Sequence, residues 1–122
     1  MLNVIILEDH EHYQVTIRAS IPEGIQYVLV ATSSELQDLL PTTDATLFFL
    51  DDNVPISPNG HIDYYFLSNA AAIQKSKPDA KIWYTGSMPG RKEESFCNTH
   101  GIPMIPKNEI GQTLKDLLEK SQ

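Results

Sequence analysis

The stretch Leu47-Phe48-Phe49-Leu50-Asp51-Asp52-Asn53-Val54-Pro55 sets a continuous apolar run against an abruptly acidic end. An apolar run of this kind reads as a strand buried on both faces, the pattern of a parallel sheet. Carboxylates that follow such a strand sit at its carboxyl end, where open α/β sheets build their sites. A second run, Asn3-Val4-Ile5-Ile6-Leu7, also ends in acids, Glu8 and Asp9. Two buried strands that stop at carboxylates point to one shared cation site.

Outward from these two runs, strands and helices alternate. A short helix with a poor apolar stripe is predicted over His10 to Ser20, and Ile21-Pro22-Glu23-Gly24 breaks it. Tyr27 to Ala31 reads as a strand. Thr32-Ser33-Ser34-Glu35 carries cap-type residues for a helix marked by Leu36, Leu39 and Leu40 and stopped by Pro41. Pro55 to Gly60 is rich in turn residues and reads as a loop. His61 to Lys75 keeps a helical period through Ile62, Tyr65, Phe66, Ala70 and Ile73. Lys81 to Thr85 is the fourth strand, and Gly86 to Gly90 is a loop on the same edge as the acids.

Arg91 to His100 reads as a polar helix closed by Gly101 in a left-handed cap. Ile102 to Pro106 is a fifth strand, placed at an edge because its two prolines cannot donate to a central ladder. The last helix, Glu109 to Lys120, has a clean stripe at Ile110, Leu114, Leu117 and Leu118. Alternation of this kind gives a parallel sheet with helices on both faces. Thr85 and Lys107, at the ends of the fourth and fifth strands, then join the acids on one edge.

Composition bounds the function. The 122 residues suit one domain over 1–122 with a single core. A formal charge of −7, from 9 basic and 16 acidic residues, argues against nucleic-acid or anionic-membrane surfaces. No apolar run reaches the roughly 18 residues of a spanning helix, and the N-terminus lacks signal-peptide features. One cysteine, Cys97, forms no internal disulfide and fits a reducing compartment, so a cytoplasmic location is expected. His10, His12, His61 and His100 have no zinc-like spacing.

With these residues in order, the chain resembles the receiver domain of bacterial two-component response regulators along essentially its whole length. Glu8-Asp9 matches the family's acidic pair, and Asp51, with Pro55 four residues beyond, matches its phosphoacceptor. Thr85 followed by the small Gly86 matches the hydroxyl position, and Lys107 the lysine after the fifth strand. The resemblance implies a flavodoxin-like, doubly wound, five-stranded sheet of order 2-1-3-4-5.

It implies equally a chemistry. A phosphoryl group passes from a sensor histidine kinase or histidine phosphotransfer protein to Asp51, with Mg²⁺ required. Asp9 and Asp51 are implied as direct ligands, Glu8 as a ligand through water, and Asn53 through its backbone carbonyl. Mg²⁺, Lys107 and the Thr85 hydroxyl would each cover one phosphoryl oxygen, and Gly86 would leave space for the donor. Such a domain promotes its own phosphorylation and dephosphorylation rather than turning over an external substrate. Output is implied through the fourth helix, fifth strand and fifth helix, docked on a downstream protein, with no output domain following.

Asp52, Met104 and Asn108 depart from the family pattern. They motivate a second reading, a degenerate receiver acting as a phosphorylation-independent interaction module. A phosphohydrolase of the haloacid dehalogenase type is disfavoured, because Asn53 stands where its general acid would be. The strand pleat turns neighbouring side chains to opposite faces, so only one of Asp51 and Asp52 can face the acidic pocket.

Overall fold

The strands β1 (Leu2–Leu7), β2 (Ile25–Val30), β3 (Leu47–Leu50) and β6 (Lys81–Tyr84) form a parallel sheet in the order β2-β1-β3-β6. The computed structural model describes Leu2 to Ser121; Met1 and Gln122, the ends of the expected domain, lie outside the described residues. The pleat divides each central strand between two apolar layers. Val4, Ile6, Leu47, Phe49 and Trp83 face one layer, closed by Ile17 of α1 (Glu11–Ser20) and by Ile110 and Leu114 of α5 (Ile110–Lys120). Ile5, Leu7, Phe48, Leu50, Ile82 and Tyr84 face the other. That second layer is closed by Leu36 of α2 (Ser33–Leu39), by Phe66, Ala70 and Ile73 of α3 (Phe66–Ser76), and by Cys97 of α4 (Arg91–His100).

Local chemistry sets the helix ends. The Thr32 hydroxyl accepts from the Glu35 N–H at 3.1 Å and caps α2. Gly101 ends α4 at φ 65°, in the left-handed region that glycine enters freely. Phe49 and Trp83, partners across β3 and β6, stack at 4.6 Å between ring centroids.

Two elements differ from expectation. The segment Ile102–Pro106 makes no continuous fifth strand. It adds one parallel bridge beyond β6, Tyr84 to Met104, held by Tyr84 N–H to Pro103 O and Ile105 N–H to Tyr84 O, both 2.9 Å. Pro103 and Pro106 have no N–H to extend the ladder. The segment still occupies the fifth position of the 2-1-3-4-5 order. The helix expected from His61 starts only at Phe66. Before it, β4 (Asn53–Pro55) and β5 (Ile62–Tyr64) form an antiparallel hairpin, closed by Ile56 N–H to His61 O at 2.9 Å. Asn59, at φ 60°, turns the tip beside Gly60. Ile56 O accepts from Ser34 N–H at 2.7 Å and holds the hairpin to α2. No described helix is long and apolar enough to cross a membrane.

Candidate functional site

Glu8 and Asp51 leave the sheet at the carboxyl ends of β1 and β3, with both side chains buried. Each continues the residue parity of the α1/α5 layer, Val4-Ile6-Glu8 and Leu47-Phe49-Asp51, which is why two strands deliver carboxylates to one place. Asp9 completes the group, and ligand oxygens of Glu8, Asp9 and Asp51 all lie within 4.8 Å of one another. Glu8 Oε2 is fixed by the His10 N–H at 3.0 Å, and Asp51 Oδ1 by the Asp52 N–H at 2.8 Å.

Lys107 reaches the group from the 3₁₀ turn Lys107–Glu109 that precedes α5. Its Nζ lies 2.7 Å from Glu8 Oε1 and donates to Asp51 Oδ2 at 3.1 Å. The Tyr13 ring on α1 sits 4.2 Å from the same ammonium, a cation–π contact. Thr85 is buried at the end of β6, where its N–H donates to Leu50 O at 2.9 Å. Thr85, Gly86 and Lys107 line one side of an open depression of about 520 Å³ that also includes Tyr13, Met104 and Asn108. Asn53 is exposed on β4 and pairs with Tyr64. The neighbouring Asp52–Tyr65 pair carries the ladder hydrogen bond, so alternation turns the Asn53 carbonyl out of the hairpin.

Burial raises the pKa of Glu8, against the pull of Lys107, and Asp51 adds to the rise. Burial likewise outweighs Lys107 at Asp51 and leaves its pKa raised. Burial opposes charge on Lys107 too, but the Glu8 and Asp51 carboxylates prevail and hold its pKa above the usual value. Two carboxylates thus share one ammonium, and Asp9 lies beside them with its Oδ1 buried and without a hydrogen-bond partner. An orphaned oxygen in a desolvated, oxygen-only donor set fits a hard divalent cation. Among the described residues this is the one such cluster.

The raised carboxyl pKa values carry a sign. Above about pH 4 the unfolded carboxyls lose their protons while the folded ones retain part of theirs, so stability falls as pH rises through the folded values. Metal-free protein is therefore expected to melt higher at about pH 5 than at about pH 7.5, as thermal melts in chelator will read. A lower melting temperature on acidification through that window would contradict the desolvated pocket.

Asp52 turns to the opposite layer, as the pleat requires. It is buried, its Oδ1 accepting from Phe66 N–H and its Oδ2 from the Tyr84 hydroxyl, each at 3.2 Å. It caps α3 from 14 residues upstream. The sequence marks Tyr84 as a strand and packing residue, which its burial bears out, but its hydroxyl partner lies 32 residues away, and no local signal marks it. Gly86, expected to leave room for a donor, has a second reason to be glycine: a Cβ there would fall 2.5 Å from the Tyr84 hydroxyl oxygen. Cys97 is buried, and burial pushes its thiol up to about 11, which leaves it inert.

No protein-family model matches the sequence, and no curated protein does. Solved structures do match. The non-phosphorylated receiver domain of the stress response regulator RcsB from Escherichia coli aligns at TM-score 0.75 and 23% identity, covering 99% of this chain and 95% of that one. A CheY-like response regulator receiver domain protein from Methanospirillum hungatei aligns at TM-score 0.72 and 14% identity, covering 99% and 93%. RcsB from Salmonella enterica serovar Typhimurium, bound to promoter P1flhDC in the presence of the phosphomimetic BeF3-, aligns at TM-score 0.76 and 23% identity. That alignment covers 99% of this chain and 60% of RcsB, so the chain spans about three fifths of the longer regulator's length. The chain has the fold of response regulator receiver domains.

Proposed function

We propose that this chain is a phosphoacceptor receiver that takes a phosphoryl group from a phosphohistidine donor onto Asp51. The observation that carries the reading is Lys107 clamped between Glu8 and Asp51, at 2.7 and 3.1 Å, in a pocket of three carboxylates. An Asp51 carboxylate oxygen attacks phosphorus in line, the P–N bond breaks, and the imidazole departs with the electron pair and takes a proton from solvent. Lys107 neutralises charge on the transferred group and the Thr85 hydroxyl donates to it. Tyr13 and Glu8 keep the ammonium turned toward the acceptor. Asp9, Asp51, Glu8 and the Asn53 carbonyl would hold Mg²⁺, which supplies charge neutralisation to the phosphoryl oxygens when bound. The chain serves as its own catalyst for gain and loss of the phosphoryl group, in the cytoplasm, with a sensor histidine kinase or histidine phosphotransfer protein as donor. Its output partner docks on α4, the Ile102–Pro106 segment and α5.

Backbone amide NMR tests this. Mg²⁺ is expected to shift Asp9, Asp51 and Asn53, and beryllofluoride then to shift Thr85 and Lys107, with changes spreading to α4. At a Mg²⁺ concentration about 100 times its Kd, thermal stability should rise by about 2.7 kcal/mol. A Mg²⁺ response without a beryllofluoride response would leave a metal site without acceptor chemistry. Silence toward both would favour the interaction module, a reading that the exposed Met88 and Met104 support, since they offer apolar contact independent of any phosphoryl group.

A further inference from the structure

Every hydrogen-bonding group of Asp52 is engaged. Its N–H donates to Asp51 Oδ1 at 2.8 Å, and its carbonyl accepts from Tyr65 N–H at 2.9 Å. Its two carboxylate oxygens accept from Phe66 N–H and from the Tyr84 hydroxyl. Leu50 and Tyr84 are the last partners of the β3–β6 ladder, so the Asp52–Tyr84 bond closes the sheet just where backbone pairing stops. One end of this bond is covalently next to Asp51 and the other is next to Thr85. A Cβ at Gly86 would fall 2.5 to 3.0 Å from the Tyr84 hydroxyl oxygen and two of its ring carbons, so only glycine fits against that side chain. The loop that carries Thr85 therefore takes its height from the position of that ring.

A buried carboxylate and phenol are expensive to desolvate, and an apolar pair would fill the same layer at lower cost. A cap for α3 accounts for Oδ1 alone. The bond to Tyr84 adds nothing to that cap, yet it joins the two loops that must present acceptor and hydroxyl to one phosphoryl group. We infer that Asp52 and Tyr84 are positioning residues, whose buried hydrogen bond sets the spacing between Asp51 and the Thr85–Gly86 loop. This rests on the phosphoacceptor reading of Asp51. Neither residue touches the transferred group. Their action is on the alignment of groups that do, where small displacements weigh heavily on rate.

Tyr84→Phe tests it, because the variant keeps the ring and the α3 cap and deletes only the hydroxyl. With the full chain, beryllofluoride affinity, Mg²⁺ affinity and phosphorylation by phosphoramidate at saturating donor would be measured together. Beryllofluoride affinity and maximal rate are expected to fall about tenfold, with Mg²⁺ affinity within about twofold of the wild type. Asp52→Asn weakens the same bond from its other end, keeps an acceptor for the Phe66 N–H and leaves the donor space untouched, and is expected to show the same split to a smaller degree; it decides the matter if Tyr84→Phe does not fold. A lower melting temperature with unchanged beryllofluoride affinity and rate would reduce the bond to a structural one and overturn the inference. Equal loss of Mg²⁺ and beryllofluoride binding would overturn it as well, since that marks general collapse of the pocket. A wild-type protein that binds Mg²⁺ but neither binds beryllofluoride nor accepts phosphate would instead overturn the receiver reading beneath it.

Discussion

Asp51→Asn is expected to abolish phosphorylation by phosphoramidate while raising the melting temperature in metal-free buffer. The loss follows from chemistry: an amide oxygen is too weak a nucleophile to form the acyl phosphate, and Asp52 cannot substitute for it. Both Asp52 oxygens are committed to Phe66 and Tyr84 on the other side of the sheet. The gain in stability follows from burial. Desolvation outweighs the Lys107 attraction at Asp51, so the folded pocket favours a neutral group there. Asn keeps an oxygen for the Asp52 N–H and leaves Lys107 its contact with Glu8. Saturating Mg²⁺ should narrow the difference, because the wild type gains more from the cation than the variant does. Mass spectrometry of acid-quenched reactions and melts with and without Mg²⁺ read both effects. Residual labelling at the wild-type rate would move the acceptor to another residue.

Asp52→Ala should be the most destabilising change at the sheet's edge. It strands the Tyr84 hydroxyl and the Phe66 N–H in a layer where both residues are buried. Each orphaned donor costs about 1–3 kcal/mol, and relief of the carboxylate's own desolvation offsets part of the sum. A net loss of about 3 kcal/mol, or roughly 10 °C at this chain length, is expected. Asp52→Asn retains an acceptor for Phe66 and a donor for the Tyr84 oxygen, and should lose less than about 1 kcal/mol. Urea melts with unchanged slope would measure the pair. An alanine variant as stable as the asparagine variant would show that the hydrogen bonds contribute little.

The sheet was legible where apolar runs were continuous. Val4 to Leu7, Leu47 to Leu50 and Ile82 to Tyr84 are buried strands because both faces of a parallel sheet are covered. The acids and Lys107 were legible because they follow those runs immediately, and their convergence needs only parallel order. The β4–β5 hairpin was not. Ile62, Tyr65 and Phe66 imitate a helical period, yet Ile62 and Tyr64 are exposed on a short edge strand. The fifth strand was legible in position and not in extent, since Pro103 and Pro106 leave a single bridge. The pleat told that Asp51 and Asp52 diverge. It could not tell what Asp52 meets, because Tyr84 arrives from a distant strand, and the same encounter explains Gly86 better than local sequence could.

The divergence of the two aspartates reaches further than the pocket. A single peptide unit hands one carboxylate to the layer of α1 and α5 and the next to the layer of α2, α3 and α4. Over the strands themselves the two layers meet across a sheet of apolar side chains. Here they are joined by a chain of dipoles: the Lys107 ammonium, Asp51, the Asp52 N–H, and then the Tyr84 hydroxyl. Charge placed at Asp51 is thereby two hydrogen bonds, through the Asp52 N–H and the Asp52 carboxylate, from the first residue of α3 in the other layer.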